Sequence, residues 1–245
     1  MSGRSILAVY AHPDDETSSM AGSMSFHAER GVDIRVVTAT RGELGTLGTG
    51  GLVIEREGLG AAREAEERAV LQSYGLRHSP VMLPYRDQEL RYADRERLVS
   101  QVLEAMRRAR PECVFTFGPT GISRHPDHIA IHEATVEAFH RYRDGAAGEP
   151  RLLYTAIHME EAKQFGLDID GPEVDPNVYI PLDARHWAKK VAGLRAYRSQ
   201  EDAQWLADMF EKVPSPTEAF HQAWPPLPPG TRLVGLWPGD GVTGN

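Results

Sequence analysis

The chain has a single cysteine, Cys113, in 245 residues. That excludes an internal disulfide and any cysteine-only zinc site, so a bound metal has to use His, Asp or Glu. Long apolar runs are also missing: the stretch from Ile6 to Ala11 falls far short of the roughly 18 residues of a membrane span. The start lacks the charged and apolar regions of a signal peptide, and a cytoplasmic protein without membrane contact is expected. Basic residues are in deficit, with 27 Lys and Arg against 35 Asp and Glu and a net charge of −8, which leaves no electrostatic footprint for nucleic acid. The segment after the first apolar run has no G-x-G-x-x-G, so the dinucleotide fingerprint is absent. The composition is otherwise that of an ordinary globular protein, 41% apolar and 25% charged, and it includes 10 histidines.

Short β-prone runs alternate with helical stretches. Residues 5–10 read as a strand, followed by a loop and a helix that runs from about Glu16 to Gly31. Residues 33–40, rich in β-branched side chains, read as a second strand, and the glycine-dense loop 42–51 after it is expected to form a flexible rim. The alternation continues with helix 56–74, strand 81–84, helix 94–110, strand 113–117, a helix opened by Pro126, and strand 152–158. Residues 177–182 are expected as an edge strand and 185–210 as one helical stretch. The Pro- and Gly-rich tail, 213–245, is expected to wrap the surface or fray. Parallel strands need crossover connections, so this order predicts one α/β, Rossmann-like domain over residues 1–245, with a mostly parallel sheet and helices on both faces.

In such sheets ligands bind beyond the carboxyl ends of strands, and two segments there carry unusual chemistry. After the first strand, His12-Pro13-Asp14-Asp15-Glu16 puts one imidazole and three carboxylates into five positions. Bare acids so close repel one another, whereas a divalent cation offsets their charge. After the fourth strand comes His125-Pro126-Asp127-His128, leaving the same edge of the sheet. A mixed set of this kind suits zinc, and two His with one Asp suffice. Taken singly, these residues have ordinary uses: Asp14, Asp15 or Glu16 in a helix first turn, His125 or His128 as a hydrogen-bonded loop histidine. The two motifs together outweigh those uses.

Both motifs resemble the signatures of the PIG-L/LmbE-like zinc-dependent N-acetylglucosamine deacetylases, an AHPDDE and a distal HPDH, and both stand here unaltered. The similarity continues through TRGELGT at 40–46, the Arg63-x-x-Glu66 helix, YRD at 85–87, and residues 189–200, which end in Arg-Ser-Gln. The resemblance implies zinc held by His12, Asp15 and His128, with ferrous iron as the alternative for a two-His, one-carboxylate set. It implies Asp14 as the general base toward a zinc-bound water, and His125 as the group that stabilises the oxyanion or protonates the leaving amine. It further implies contacts from Arg63 and Asp87 to the sugar and its appended group, and a homo-oligomer acting on a small amino-sugar conjugate. Asp127 reads either as a carboxylate that orients His125 or as a helix-cap acid.

Three positions depart from the family pattern. Ser123 stands where mycothiol-type enzymes carry a tyrosine, Arg124 where glycine is frequent, and Tyr197 where an H-x-Ser-Gln pattern has histidine, so a different pocket mouth is expected. Two other functions fit less well: an amidase of the same fold acting on a larger amide, and a non-catalytic sugar-binding module, which needs no metal ligands. Arg124 beside the HPDH motif suits an acidic aglycone such as malate. Replacing Arg124 with Ala is then expected to raise KM for an N-acetylglucosaminyl malate substrate and to leave KM for plain N-acetylglucosamine unchanged, as steady-state kinetics with the two compounds will read.

Overall fold

Every residue of strand β1 (Ser5–Tyr10) is buried, as a strand must be when helices cover both faces of its sheet. In the computed structural model, which describes residues 3–157, 174–213, 216–238 and 240, β1 pairs in parallel with β2 (Asp33–Thr40) on one side and β4 (Cys113–Thr116) on the other. β3 (Val81–Tyr85) extends the sheet beyond β2 and β5 (Arg151–Thr155) extends it beyond β4, again in parallel. The remaining strands are β6 (Val178–Pro181), β7 (Thr217–Trp224) and β8 (Leu233–Val234), and the order across the sheet is β3-β2-β1-β4-β5-β7-β6-β8. The helices are α1 (Asp15–Ala28), α2 (Arg56–Ser73), α3 (Arg95–Ala109), α4 (Pro126–Arg143), α5 (Ala184–Ala196) and α6 (Glu201–Phe210). α3 packs on α4, while α1 packs on α5, which also meets α2 and α6. No helix among the described residues is long and apolar enough to cross a membrane.

The expected α/β architecture with a mostly parallel sheet is the observed one. Strand order reverses between β1 and β4, so the connections after these two strands run to opposite sides and leave a crevice at their carboxyl ends. Both histidine-bearing segments open into that crevice. Cys113 lies buried in β4 as a small core residue, where burial pushes its thiol pKa up to about 11.

Three expectations for the second half of the chain are corrected. The single helix over 185–210 is two helices, α5 and α6, separated at Tyr197–Gln200. The strand at Val178–Pro181 is not at the edge, because β8 pairs outside it. The tail does not merely wrap the surface: its residues Thr217–Trp224 form β7, inserted antiparallel between β5 and β6. The strand expected at 152–158 is observed at Arg151–Thr155 and stops before residues 156 and 157; His158 lies outside the described residues, as do 214, 215, 239 and 241–245 of the tail.

β7 carries a buried carboxylate that repairs a break in α1. Met20 has non-helical angles (φ −148°, ψ 23°), which opens the helix and frees the N–H groups that follow. Gly22 N–H and Ser23 N–H donate to the Glu218 carboxylate at 3.0 and 2.7 Å. Lys190 of α5, also buried, donates to Glu218 Oε1 at 2.8 Å and balances its charge. A Cβ on Gly22 would stand 2.3 Å from Leu182 Cδ1, so a larger residue there displaces that side chain. Removing one partner of a buried, hydrogen-bonded ion pair costs about 3–5 kcal/mol. Glu218→Ala is therefore expected to lower unfolding stability by about that amount in denaturant titration. The Lys190→Met, Glu218→Gln double variant is expected to lose less, because no unpaired buried charge remains.

Candidate active site

The chain leaves β1 through a turn in which Asp14 takes φ 101° and ψ −24°, a left-handed conformation unfavourable for a side chain with a Cβ. Two contacts hold it there. Its N–H donates to Glu16 Oε2 at 3.0 Å, and its carboxylate accepts from Arg63 Nη2 at 2.8 Å. The turn sends adjacent carboxylates in different directions: Asp14 faces Arg63, while Asp15 Oδ2 folds back to accept the His12 N–H at 2.7 Å. After β4 the chain runs through a tight loop in which Gly121, Ile122 and Arg124 all have positive φ. It enters α4 with His125 as N-cap and Pro126 in the first turn, a position that tolerates the missing N–H.

Donor atoms of three residues converge between these segments. His12 Nδ1 lies 3.4 Å from Asp15 Oδ2 and 3.3 Å from His128 Nε2, and His128 Nε2 lies 3.3 Å from Asp15 Oδ1. Ligands about 2.0–2.1 Å from a tetrahedral centre stand about 3.3–3.4 Å apart, and each of these contacts has that length, Asp15 meeting the two histidines through different oxygens. The far nitrogens agree with that use. His128 Nδ1–H donates to Gly121 O at 2.9 Å. His12 Nε2–H faces Asp87 Oδ1 at 3.1 Å and Asp127 Oδ2 at 3.3 Å. Each ring thus has its outer N–H fixed by an oxygen and its inner lone pair turned toward the common point, the arrangement that outer partners impose on metal-ligating histidines. Phe117 stacks flat on the His128 ring, with centroids 4.0 Å apart, and its carbonyl accepts from His132 Nδ1.

Electrostatics at the cluster follow from its carboxylates. Burial pushes the His12 pKa down, but hydrogen bonds to Asp127, Asp15 and Asp87 hold it well above the usual imidazole value. Burial pushes Asp15 up, yet His128 and His12 hold it well below the ordinary carboxylate range. Asp14 is held well above that range by burial, with Asp202, Asp15 and Glu16 adding to the effect and Arg63 opposing it. His125 is pushed down by burial and by His12 and His128, which favours its neutral form. Its Nδ1 accepts the Asp127 N–H at 3.2 Å, so the neutral ring carries its proton on Nε2.

The structure brings His12, Asp14, Asp15, His125 and His128 to one place, and it gives other residues work that the sequence did not disclose. The Asp127 carboxylate reaches His12 rather than His125, and it is fixed by the N–H groups of Gln88 and Leu90. Only the main chain of Asp127 meets His125, which corrects the expected pairing. Asp87 is buried, with one oxygen accepting from Leu44 N–H and the other beside His12 Nε2. Arg63 is also buried, bonding Gly42 O, Pro13 O and Asp14. Arg124 and Ser123 are exposed, the Ser123 hydroxyl 3.4 Å from His128 Nδ1. Tyr197 is not at a pocket mouth: it is fully buried, and its hydroxyl donates to Glu16 Oε1 at 2.6 Å. The rim loop is tied down, since Gly48 N–H and the Thr46 hydroxyl donate to Ser199 O and the Thr49 hydroxyl to Arg198 O. Sequence reasoning missed Phe117, although an aromatic residue at the end of β4, just before the histidine loop, was a usable signal.

The profile of the PIG-L family, GlcNAc-PI de-N-acetylase, matches residues 7–139, and the chain belongs to that family. It is 31% identical to the 1D-myo-inositol 2-acetamido-2-deoxy-alpha-D-glucopyranoside deacetylase 2 of Saccharopolyspora erythraea, over 84% of this chain and 88% of that protein. Its fold is similar to N,N'-diacetylchitobiose deacetylase from Pyrococcus horikoshii, with a TM-score of 0.70 and 22% identity over 90% of this chain and 84% of that one. The 4-carboxy-2-hydroxymuconate hydratase GalB of Pseudomonas putida shares the fold at a TM-score of 0.66 and 20% identity, over 92% of this chain and 98% of that one. The same scaffold thus occurs with different reactions, and the site has to decide between them.

An outer partner of a metal-ligating histidine is commonly worth 10–100-fold in metal affinity. Asp127→Asn replaces one acceptor with an N–H donor that clashes with the donors facing it. The variant is expected to bind zinc on the order of 10–100-fold more weakly than the parent in competition with a chromogenic chelator.

Proposed function

We propose that this chain is a zinc-dependent hydrolase that removes the N-acetyl group from an N-acetylglucosamine glycoside. The observation that carries the proposal is the meeting of His12 Nδ1, His128 Nε2 and the Asp15 carboxylate, whose Oδ2 lies 3.4 Å from His12 and whose Oδ1 lies 3.3 Å from His128, with Asp14 next in the chain and His125 beside it. Zinc held by this trio supplies Lewis-acid activation of a water and of the amide carbonyl. Arg63 engages Asp14 Oδ2, which leaves Oδ1 to receive a proton as the water attacks. A carboxyl raised above its ordinary range accepts that proton more readily near neutral pH. His125, neutral and protonated on Nε2, donates a hydrogen bond to the oxygen that gains charge, and the proton collected by Asp14 passes to the departing amine. Asp127 and Asp87 keep the His12 lone pair on the metal side.

The inositol glycoside named for the relative at 31% identity supports a neutral polyol aglycone. Exposed Arg124, next to His125, supports a second choice, the acidic malate conjugate. Free-amine release from a panel holding both glycosides, plain N-acetylglucosamine and N,N'-diacetylchitobiose is expected in the presence of zinc, and the best member names the aglycone. Chelation and Asp14→Ala are each expected to reduce it on the order of 10²-fold or more. A stoichiometrically metallated protein that releases amine from no member would turn the assignment toward a larger amide.

A further inference from the structure

We propose that Tyr197 is a positioning residue for the base Asp14: acting through Glu16, its buried hydroxyl holds the turn that aims the Asp14 carboxylate. This rests on the deacetylase function proposed above. Asp14 stands at φ 101°, which is unfavourable for a residue with a Cβ and persists only where the surroundings hold it. The bond from its N–H to Glu16 Oε2 at 3.0 Å is one such hold, and it requires the Glu16 carboxylate to be fixed in turn. That fixing falls on the other oxygen. Glu16 Oε1 accepts from the Thr17 hydroxyl at 2.5 Å and from the Tyr197 hydroxyl at 2.6 Å. With the Thr17 proton committed, Tyr74 donates its own hydroxyl to Thr17 Oγ1 at 3.1 Å. The donors of this network all point toward Glu16, and Glu16, Thr17, Tyr74 and Tyr197 are each 0% exposed. A donor removed here is not replaced by bulk water.

Thr17 follows Glu16 on α1 and moves with it, whereas Tyr197 is 181 residues away in sequence. Among the described residues, its hydroxyl is the only hydrogen-bond donor to the Glu16 carboxylate from outside α1 and the turn before it. The main chain of Tyr197 is itself anchored. Its N–H donates to Leu194 O at 3.1 Å, and its carbonyl accepts from Gln200 N–H at 3.1 Å and Gln204 Nε2 at 3.0 Å. The phenol is therefore a strut from the junction of α5 and α6 to the acid that holds Asp14. Tyrosine in place of the histidine of the H-x-Ser-Gln pattern thus puts a long donor beneath the catalytic turn.

The test combines kinetics with structure. Tyr197→Phe removes one oxygen and keeps the ring, and Tyr74→Phe is the control, because its hydroxyl is equally buried but reaches Thr17 and not Glu16. Both are expected to lower the midpoint of denaturant unfolding. Assayed per mole of folded, zinc-loaded enzyme on the best panel substrate, Tyr197→Phe is expected to lower kcat on the order of tenfold, with KM within about twofold of the parent. Tyr74→Phe is expected to keep kcat within about twofold. In the Asp14→Asn background, Tyr197→Phe is expected to change kcat little, because the group it positions is gone. Independently of activity, a crystal structure of metal-free Tyr197→Phe is expected to show Glu16 turned from the Asp14 N–H or Asp14 out of its left-handed conformation. Equal losses of kcat in the two phenylalanine variants, a full further loss in the Asp14→Asn background, or an unmoved Glu16 and Asp14 would each overturn the proposal. Failure of the parent enzyme on the whole panel would sink the deacetylase function instead, and the crystallographic outcome would still decide whether Tyr197 holds the turn.

Discussion

The imidazole of His12 is the group on which the carboxyl edge of the sheet is organised. One nitrogen faces Asp15 and His128, and the other faces Asp87 and Asp127. Those partners come from the segments after β1, β3 and β4, and Leu44 of the loop after β2 reaches Asp87 through its N–H. Four connections that are far apart in sequence therefore agree on the orientation of one ring. Buried carboxylates in this number are unfavourable unless each is hydrogen-bonded or faces positive charge. Here the backbone N–H groups of Leu44, Gln88 and Leu90 satisfy two of them, and the donor trio completes the balance when a cation is present.

The parts of this arrangement legible in the sequence were those encoded locally. HPDDE follows β1 directly and HPDH follows β4 after a short loop, and the reversal of strand order brings the two strand ends together. The first strands and helices were legible because their apolar and β-branched runs are continuous. What was hidden depended on contacts between distant segments. β7 escaped notice because two of its three inward residues, Glu218 and Gln222, are polar, so only Phe220 marks the buried face. Nothing in Tyr197 itself tells whether it lines a mouth or lies under Glu16, and Asp127 sits next to His125 in the chain while serving His12 in space. The glycines of the rim loop read as freedom, whereas its hydroxyls and N–H groups fasten it to the junction before α6.

A scaffold shared with a hydratase shows how little of the chemistry belongs to the sheet itself. The strands supply a switch point and a set of exits, and the reaction depends on what stands in the first residues beyond each exit. In this chain those residues form a cluster of two imidazoles and a carboxylate, a second carboxylate held in an unfavourable backbone conformation, and an imidazole with its proton on the side away from the helix backbone. The strained turn at Asp14 is sustained by Arg63 and Glu16, both buried, so this edge of the sheet draws on the rigidity of α1 and α2.

The placement of β7 also orders events during synthesis. A chain that emerges from the ribosome N-terminus first has β1 through β5 available long before residues 217–224 appear, yet β6 reaches the main sheet only through β7. Until Glu218 arrives, Lys190 has no counter-charge and the interrupted turn of α1 has no acceptor for Gly22 and Ser23. The nascent protein therefore carries an open sheet edge at β5 until residues 217–224 have been made, which makes products cut short before them unfinished and prone to association.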